Sequence, residues 1–205
     1  FGVAHEDAVR IYQRAASLPG LKVVGIDCHI GSQITEETPF MDALERMLDL
    51  VSAVEAAGIA IHHIDFGGGL GINYNGDTPP AADALWAKLL ARLDARGYGD
   101  RQLMIEPGRS LVGNAGVCLT EVLYLKPGEQ KNFLIVAAAM NDLPRPAMYQ
   151  AFHRHVPLQP RTTAAPTVLY VVAPICASGD WLGRDPSLAS LPGHPHAVLP
   201  AAPYC

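Results

Sequence analysis

Short apolar runs alternate with longer amphipathic stretches over the first two-thirds of the chain, which predicts strands alternating with helices. Val9, Tyr12 and Ala16 fall at spacings of three and four, so residues 4–18 read as a helix. Residues 21–28 are short and β-rich and read as a strand. Thr38 and Pro39 open a second helical pattern through Met41, Leu44, Leu48, Val51 and Val54, and Gly58 stands where a C-terminal glycine is expected. Residues 59–66 form the next strand, 81–96 a helix stopped by Gly97, and 102–105 a third strand. Strands separated by helices of this length predict βαβ units and a parallel sheet.

The texture changes after about Leu111. Residues 117–125, 132–138 and 167–172 are β-rich, with loops between them and no long helical pattern, and this predicts a separate β domain. From Arg184 onward the chain is rich in proline and small residues, and the pattern predicts no regular element.

Composition narrows the class. Hydrophobic residues make up 49% and charged residues 17%, with a net charge of −5 from 15 basic and 20 acidic side chains. No apolar run reaches the roughly 18 residues that span a bilayer. No basic run supports nucleic acid or an anionic membrane as partner. Cys28, Cys118, Cys176 and Cys205 are widely spaced, which fits neither a zinc knuckle nor a dense disulfide framework and points to a reducing, cytoplasmic setting. Cys28 and Cys118 read as core residues. The chain begins at Phe1 without a charged-then-apolar leader, and reads as a piece of a longer protein.

A polar or glycine-rich cluster follows each of the three predicted α/β strands, at the end where parallel α/β architectures place ligands. The run from Gly67 to Gly71 offers amides that no Cβ shields. His29 and Ser32 bring an imidazole and a hydroxyl. Glu106 and Arg109 bring a carboxylate and a guanidinium around a proline turn. Taken singly, each cluster has an ordinary structural explanation, whereas the set suits a phosphorylated aromatic ligand. His153 with His155, and His194 with His196, read as polar loops, so no metal is expected.

The runs His29-Ile30-Gly31-Ser32-Gln33, His63-Ile64-Asp65-Phe66-Gly67-Gly68-Gly69-Leu70-Gly71 and Glu106-Pro107-Gly108-Arg109 resemble successive signatures of the fold-type III pyridoxal-phosphate decarboxylases. The run from Met140 to Tyr149 and the run from Pro174 to Asp180 resemble later motifs of the diaminopimelate decarboxylases, and the run from Ala197 to Tyr204 is a looser match to their tyrosine-bearing strand. The resemblance implies the last strands of a cofactor-binding (β/α)8 barrel over residues 1–112 and an incomplete β domain over 113–205.

The resemblance implies pyridoxal phosphate as cofactor and decarboxylation of meso-diaminopimelate to lysine. His29 would stack on the pyridine ring and take part in catalysis. Ser32, Gly67, Gly68, Gly69, Gly108 and Tyr204 would hold the cofactor, with Glu106 on the ring nitrogen. Arg109 would contact phosphate and substrate, and Arg145, Tyr149 and Tyr204 the substrate. Cys176 would donate a proton across the interface of a homodimer with shared sites.

The sequence also departs from the pattern. Ala177 replaces a substrate-contacting glutamate, Pro144 an aliphatic residue, and 136–139 lack an acidic residue. The family's anchoring lysine lies upstream of residue 1, and Lys22, Lys88, Lys126 and Lys131 do not stand in its place. The 205 residues alone are therefore expected not to decarboxylate. Three strands do not close an eight-stranded barrel, so the isolated chain is expected to fold poorly. The alternatives are a related arginine, ornithine or carboxynorspermidine decarboxylase, or a noncatalytic homologue.

Overall fold

The computed structural model describes residues 2–159 and 165–201. Contacts divide the chain into two units. The first comprises Phe1–Gly71 and Thr78–Pro107, the second Ile72–Asp77 and Gly108–Cys205. By these contacts the first unit ends at Pro107, and the short segment behind the glycine run joins the second unit.

In the first unit three strands pair in parallel in the order of the sequence, β1 (Gly25–Asp27), β2 (His63–Asp65) and β3 (Gln102–Met104). Register sets Ile26 beside Ile64, and Ile64 beside Leu103. Helix α1 (Ala8–Ala16), behind a short 3-10 turn at His5–Asp7, precedes β1. Tyr12 donates from its hydroxyl to the Gly25 carbonyl at 2.9 Å. Helix α2 (Thr38–Ala56) connects β1 to β2, and α3 (Ala82–Ala95) connects β2 to β3.

Sequential order with a helix in each crossover is the arrangement of a barrel segment. Leu44, Leu48, Val51 and Val54 of α2 and Leu85, Leu89 and Leu93 of α3 pack with Ile26, Ile61 and Ile64 in one apolar core. Their spacing of three and four is what buries a single stripe of each helix. Glu45 takes ion pairs from Arg92 and Arg96, and Lys88 reaches Glu37, tying α2 to α3 along their exposed rims. Such exposed pairs add little each, about 0–1 kcal/mol. Both helices end where expected, with Gly58 and Gly97 at positive φ.

The strands are shorter than the sequence predicts, three residues each, because only that length finds a hydrogen-bonded neighbour. The first helix is shorter as well.

The second unit is a six-stranded mixed sheet in the order β6-β9-β4-β5-β7-β8. These strands are β4 (Cys118–Lys126), β5 (Phe133–Val136), β6 (Arg154–Pro157), β7 (Thr167–Val172), β8 (Trp181–Leu188) and β9 (Pro195–Leu199). Only β5 and β7 are parallel; the other pairs are antiparallel. Two short helices, α4 (Arg109–Val112) and α5 (Arg145–Tyr149), flank it. Val122, Leu134, Val136, Leu143, Val171, Leu182 and Val198 form its core.

The two outer strands, β6 and β8, approach each other and nearly close the sheet. His155 of β6 bridges the seam by donating from Nε2 to the Leu182 carbonyl of β8 at 3.1 Å. A side chain on Gly183 would run into that imidazole, so glycine is what lets the seam close. Two strands therefore stand beyond Arg184 or across it, where the sequence pattern predicts none.

His155 and His196 are not polar-loop residues either, whereas His194 does lie in a loop. His155 and His196 are buried on neighbouring strands, with 3.2 Å between Nδ1 of the first and Nε2 of the second. Since a carbonyl only accepts, His155 carries its proton on Nε2 and accepts from His196 at Nδ1. His153 is buried as well, immediately before β6. Among the described residues no group of three potential ligands that could hold a metal is formed, and no helix is long and apolar enough to cross a membrane.

Candidate functional site

In the first unit the three expected clusters converge at the C-terminal ends of β1, β2 and β3. The glycine run after β2 is pressed against the chain leaving its neighbours. A Cβ on Gly67 would lie 2.6 Å from the Cys28 carbonyl and 3.2 Å from His29 Nδ1, and one on Gly68 would strike the Glu106 carbonyl. Gly67 also has φ near 64°, a backbone conformation that side chains disfavour. The Glu106 amide donates to the Gly67 carbonyl at 2.8 Å, fixing the carboxylate-bearing loop beside the run. On the other side Ile34 donates to Gly69 at 2.9 Å and accepts from Gly71 at 3.0 Å, which binds the loop carrying His29 and Ser32 to the same turn.

Within this turn the Gly67 amide donates to Asp65 Oδ1 at 2.8 Å. The amides of Gly68 and Gly69 take no acceptor among the described residues. An imidazole, a hydroxyl, two amides and an exposed carboxylate are thus gathered at one end of the sheet. That set fits a planar ring bearing a phosphate and a basic nitrogen.

None of the lysines joins it. Lys22 precedes β1, Lys88 of α3 is paired with Glu37, and Lys126 and Lys131 belong to the second unit, where Lys131 lies 4.5 Å from the ring centre of Tyr170.

The second unit gathers the two expected arginines around a tyrosine that sequence reasoning missed. Arg109, at the head of α4, donates from Nη1 to the Tyr74 hydroxyl at 2.6 Å. Arg145, at the head of α5, lies with Cζ 4.7 Å from the centre of the same ring. Tyr74 is presented by a turn in which the Gly76 amide donates to Asn73 Oδ1 at 2.8 Å. His153 packs edge-on against that ring, 5.3 Å between centroids. Its Nε2 faces Arg145 Nη1 at 3.1 Å and its Nδ1 faces the Pro200 carbonyl at 2.7 Å. Burial, with Arg145 nearby, lowers the His153 pKa to about 4.

Asp180 was also missed. This buried carboxylate accepts from the Met140 amide at 2.9 Å and the Ile175 amide at 2.7 Å. It therefore pins the loop leading to Arg145 to the loop bearing Cys176. Cys176 itself is exposed, and Cys118 is buried as expected. Tyr149 does not join the arginine cluster but is 70% exposed. Gly108 caps α4 at its N-terminus. Tyr204 lies outside the described residues. The only sequence signal for Tyr74 was an aromatic inside a polar Asn-Gly turn; His153 stood out only as half of a His-x-His pair, and Asp180 only as the last residue of a motif.

Residues 1–113 match the family model of the pyridoxal-dependent decarboxylases over its pyridoxal binding domain. Over 204 residues the chain is 50% identical to the diaminopimelate decarboxylase of Pseudomonas aeruginosa and 47% identical to that of Neisseria meningitidis. All of this chain is matched in both, against 48% and 49% of the relatives' lengths. A solved structure from Aquifex aeolicus superposes with a TM-score of 0.88 at 40% identity, over 98% of this chain and 49% of that one. Diaminopimelate decarboxylase from Helicobacter pylori, complexed with L-lysine, gives 0.84 at 32% identity, over 98% and 50%. The chain spans about half the length of the curated relatives it matches. By its matched domain and by the residues gathered at the strand ends, the chain belongs to the pyridoxal-dependent decarboxylase family.

Proposed function

We propose that these residues serve the decarboxylation of meso-diaminopimelate to L-lysine and carbon dioxide, with pyridoxal phosphate as cofactor. The observation that carries this reading is the pair of guanidiniums on Tyr74. Arginine recognises a carboxylate with its planar fork, and a substrate with a carboxylate at each end has use for two such groups. Ornithine ends in an ammonium, which two guanidiniums would repel. The similarity to diaminopimelate decarboxylases along the whole chain supports the same substrate.

Ser32 and the amides of Gly68 and Gly69 would hold the phosphate, His29 would lie on the ring face, and Glu106 would keep the ring nitrogen protonated. When bound, the cofactor supplies an electron sink for the pair left behind as carbon dioxide departs. Arg109 and Arg145 would orient the substrate. Cys176 would deliver the replacing proton from its exposed loop to the site of a second copy in a homodimer. The exposure of Tyr149 and Cys176 supports such a shared arrangement. The lysine positions support an inactive chain when these 205 residues stand alone.

The test is to express the chain together with the coding sequence read in frame before Phe1 and to supply pyridoxal phosphate. Labelled carbon dioxide should be released from meso-diaminopimelate and not from ornithine or arginine. Release from either of the latter, or none from a preparation that retains bound cofactor, would overturn the reading.

A further inference from the structure

We propose that His153 is a positioning residue, holding Arg145 in one orientation for a substrate carboxylate. This rests on the function proposed above and names a residue which that reading does not use.

The local chain explains how the two meet. Helix α5 ends at Gln150, whose φ of 54° turns the backbone out of the helix. The Ala151 amide then donates back to the Arg145 carbonyl at 3.4 Å. The chain doubles back over the first residue of its own helix, and His153 comes to lie against Arg145.

Both side chains are buried, His153 at 3% and Arg145 at 9% exposure. The proton on the imidazole is assigned by its partners. The Pro200 carbonyl only accepts, so Nδ1 carries the hydrogen; a guanidinium only donates, so Nε2 is bare. One neutral tautomer satisfies both contacts and no other does. Burial, which disfavours the charged ring, acts in the same direction.

Arg145 is thereby held on two sides, by Nε2 at its edge and by the Tyr74 ring at its face. A guanidinium fixed in plane and rotation meets a carboxylate with less ordering left to lose. If His153 served only to satisfy the Pro200 carbonyl, nothing would require an acceptor aimed at Arg145. Among the described residues the charged and titratable groups facing it are Arg145, Arg109, His155 and Tyr74, and none is a carboxylate.

The test uses the same extended chain, loaded with pyridoxal phosphate, with ¹⁵N-labelled histidine and arginine, glutarate as the dicarboxylate probe, and His153→Leu and His153→Gln variants. Glutamine keeps an acceptor and a donor; leucine has neither. The His153 nitrogens should show Nδ1 protonated and Nε2 bare at neutral pH. The Arg145 guanidinium should rotate slowly in the wild type and in His153→Gln, and fast in His153→Leu. Glutarate affinity should fall about tenfold in His153→Leu, the scale of one charge-assisted hydrogen bond, and stay within about threefold in His153→Gln.

The opposite tautomer in the wild type would overturn the proposal even if neither variant folds. So would an Arg145 that is equally restrained in His153→Leu. A wild type that ignores glutarate, while His153→Leu still frees Arg145, would overturn the carboxylate reading and leave the positioning role supported.

Discussion

Arg145 donates from Nη1 to the bare Nε2 of His153, eight residues further along the chain, at 3.1 Å, with both side chains buried. A cation kept out of water is costly unless it is hydrogen-bonded and faces a polarisable neighbour. The imidazole and the Tyr74 ring both contribute to meeting that requirement for Arg145.

Tyr74→Phe keeps the ring beside Arg145 and removes the hydroxyl that accepts from Arg109. A hydrogen bond to a charged donor contributes about 1.5–3 kcal/mol. The urea midpoint is expected to fall by a corresponding amount, and an unchanged midpoint would refute the stabilising role of that contact.

Asp180→Asn replaces a carboxylate that accepts from two backbone amides with a group offering one oxygen. Exchange of the Met140 and Ile175 amide hydrogens should accelerate by about ten- to a hundredfold, as expected for about 1.5–3 kcal/mol. If only one of the two amides accelerates, the carboxylate does not couple the two loops.

Burial lowers the pKa of His153, His155 and His196 to about 4 each, from an ordinary 6.5. Between those values the unfolded chain binds protons that the folded chain refuses. Stability is therefore undiminished above about pH 6.5 and is lost as pH falls from there toward about 4. Urea denaturation at pH 7.5, 6 and 5 should show a steady fall. A flat profile over that range would mean that the three imidazoles are not buried as neutral groups.

Gly68→Ala places a methyl group in the Glu106 carbonyl, and backbone at that point has little freedom to yield. A cost of about 1–3 kcal/mol is expected from overpacking, with loss of any pyridoxal phosphate binding that depends on the turn. Equal stability and equal cofactor absorbance in the variant would show that the glycine is dispensable.

The α/β half was readable because its helices bury one stripe against one sheet. Leu44, Leu48, Val51 and Val54 stand at helical spacing for that reason alone, and Gly58 ends the helix by its own backbone freedom. The glycine run and Glu106 were readable too, since both belong to short motifs at strand ends. In the β unit, Thr167–Val172 is a strand by local preference and was placed correctly.

What the linear pattern could not show depends on neighbours distant in the chain. Trp181–Leu188 contains Gly183, Asp185 and Pro186, a poor strand by any local measure, and is held as one by pairing with Thr167–Val172. His155 and His196 look like polar loop residues until β6 and β9 pair and bury them together. Tyr74, Arg109, Arg145 and His153 span 80 positions, and only the folded second unit sets both guanidiniums against one ring. Local preference and motif chemistry are properties of neighbouring residues and so are written in the sequence; burial and the partner of a charge are properties of the packed chain, and tertiary structure alone decides them.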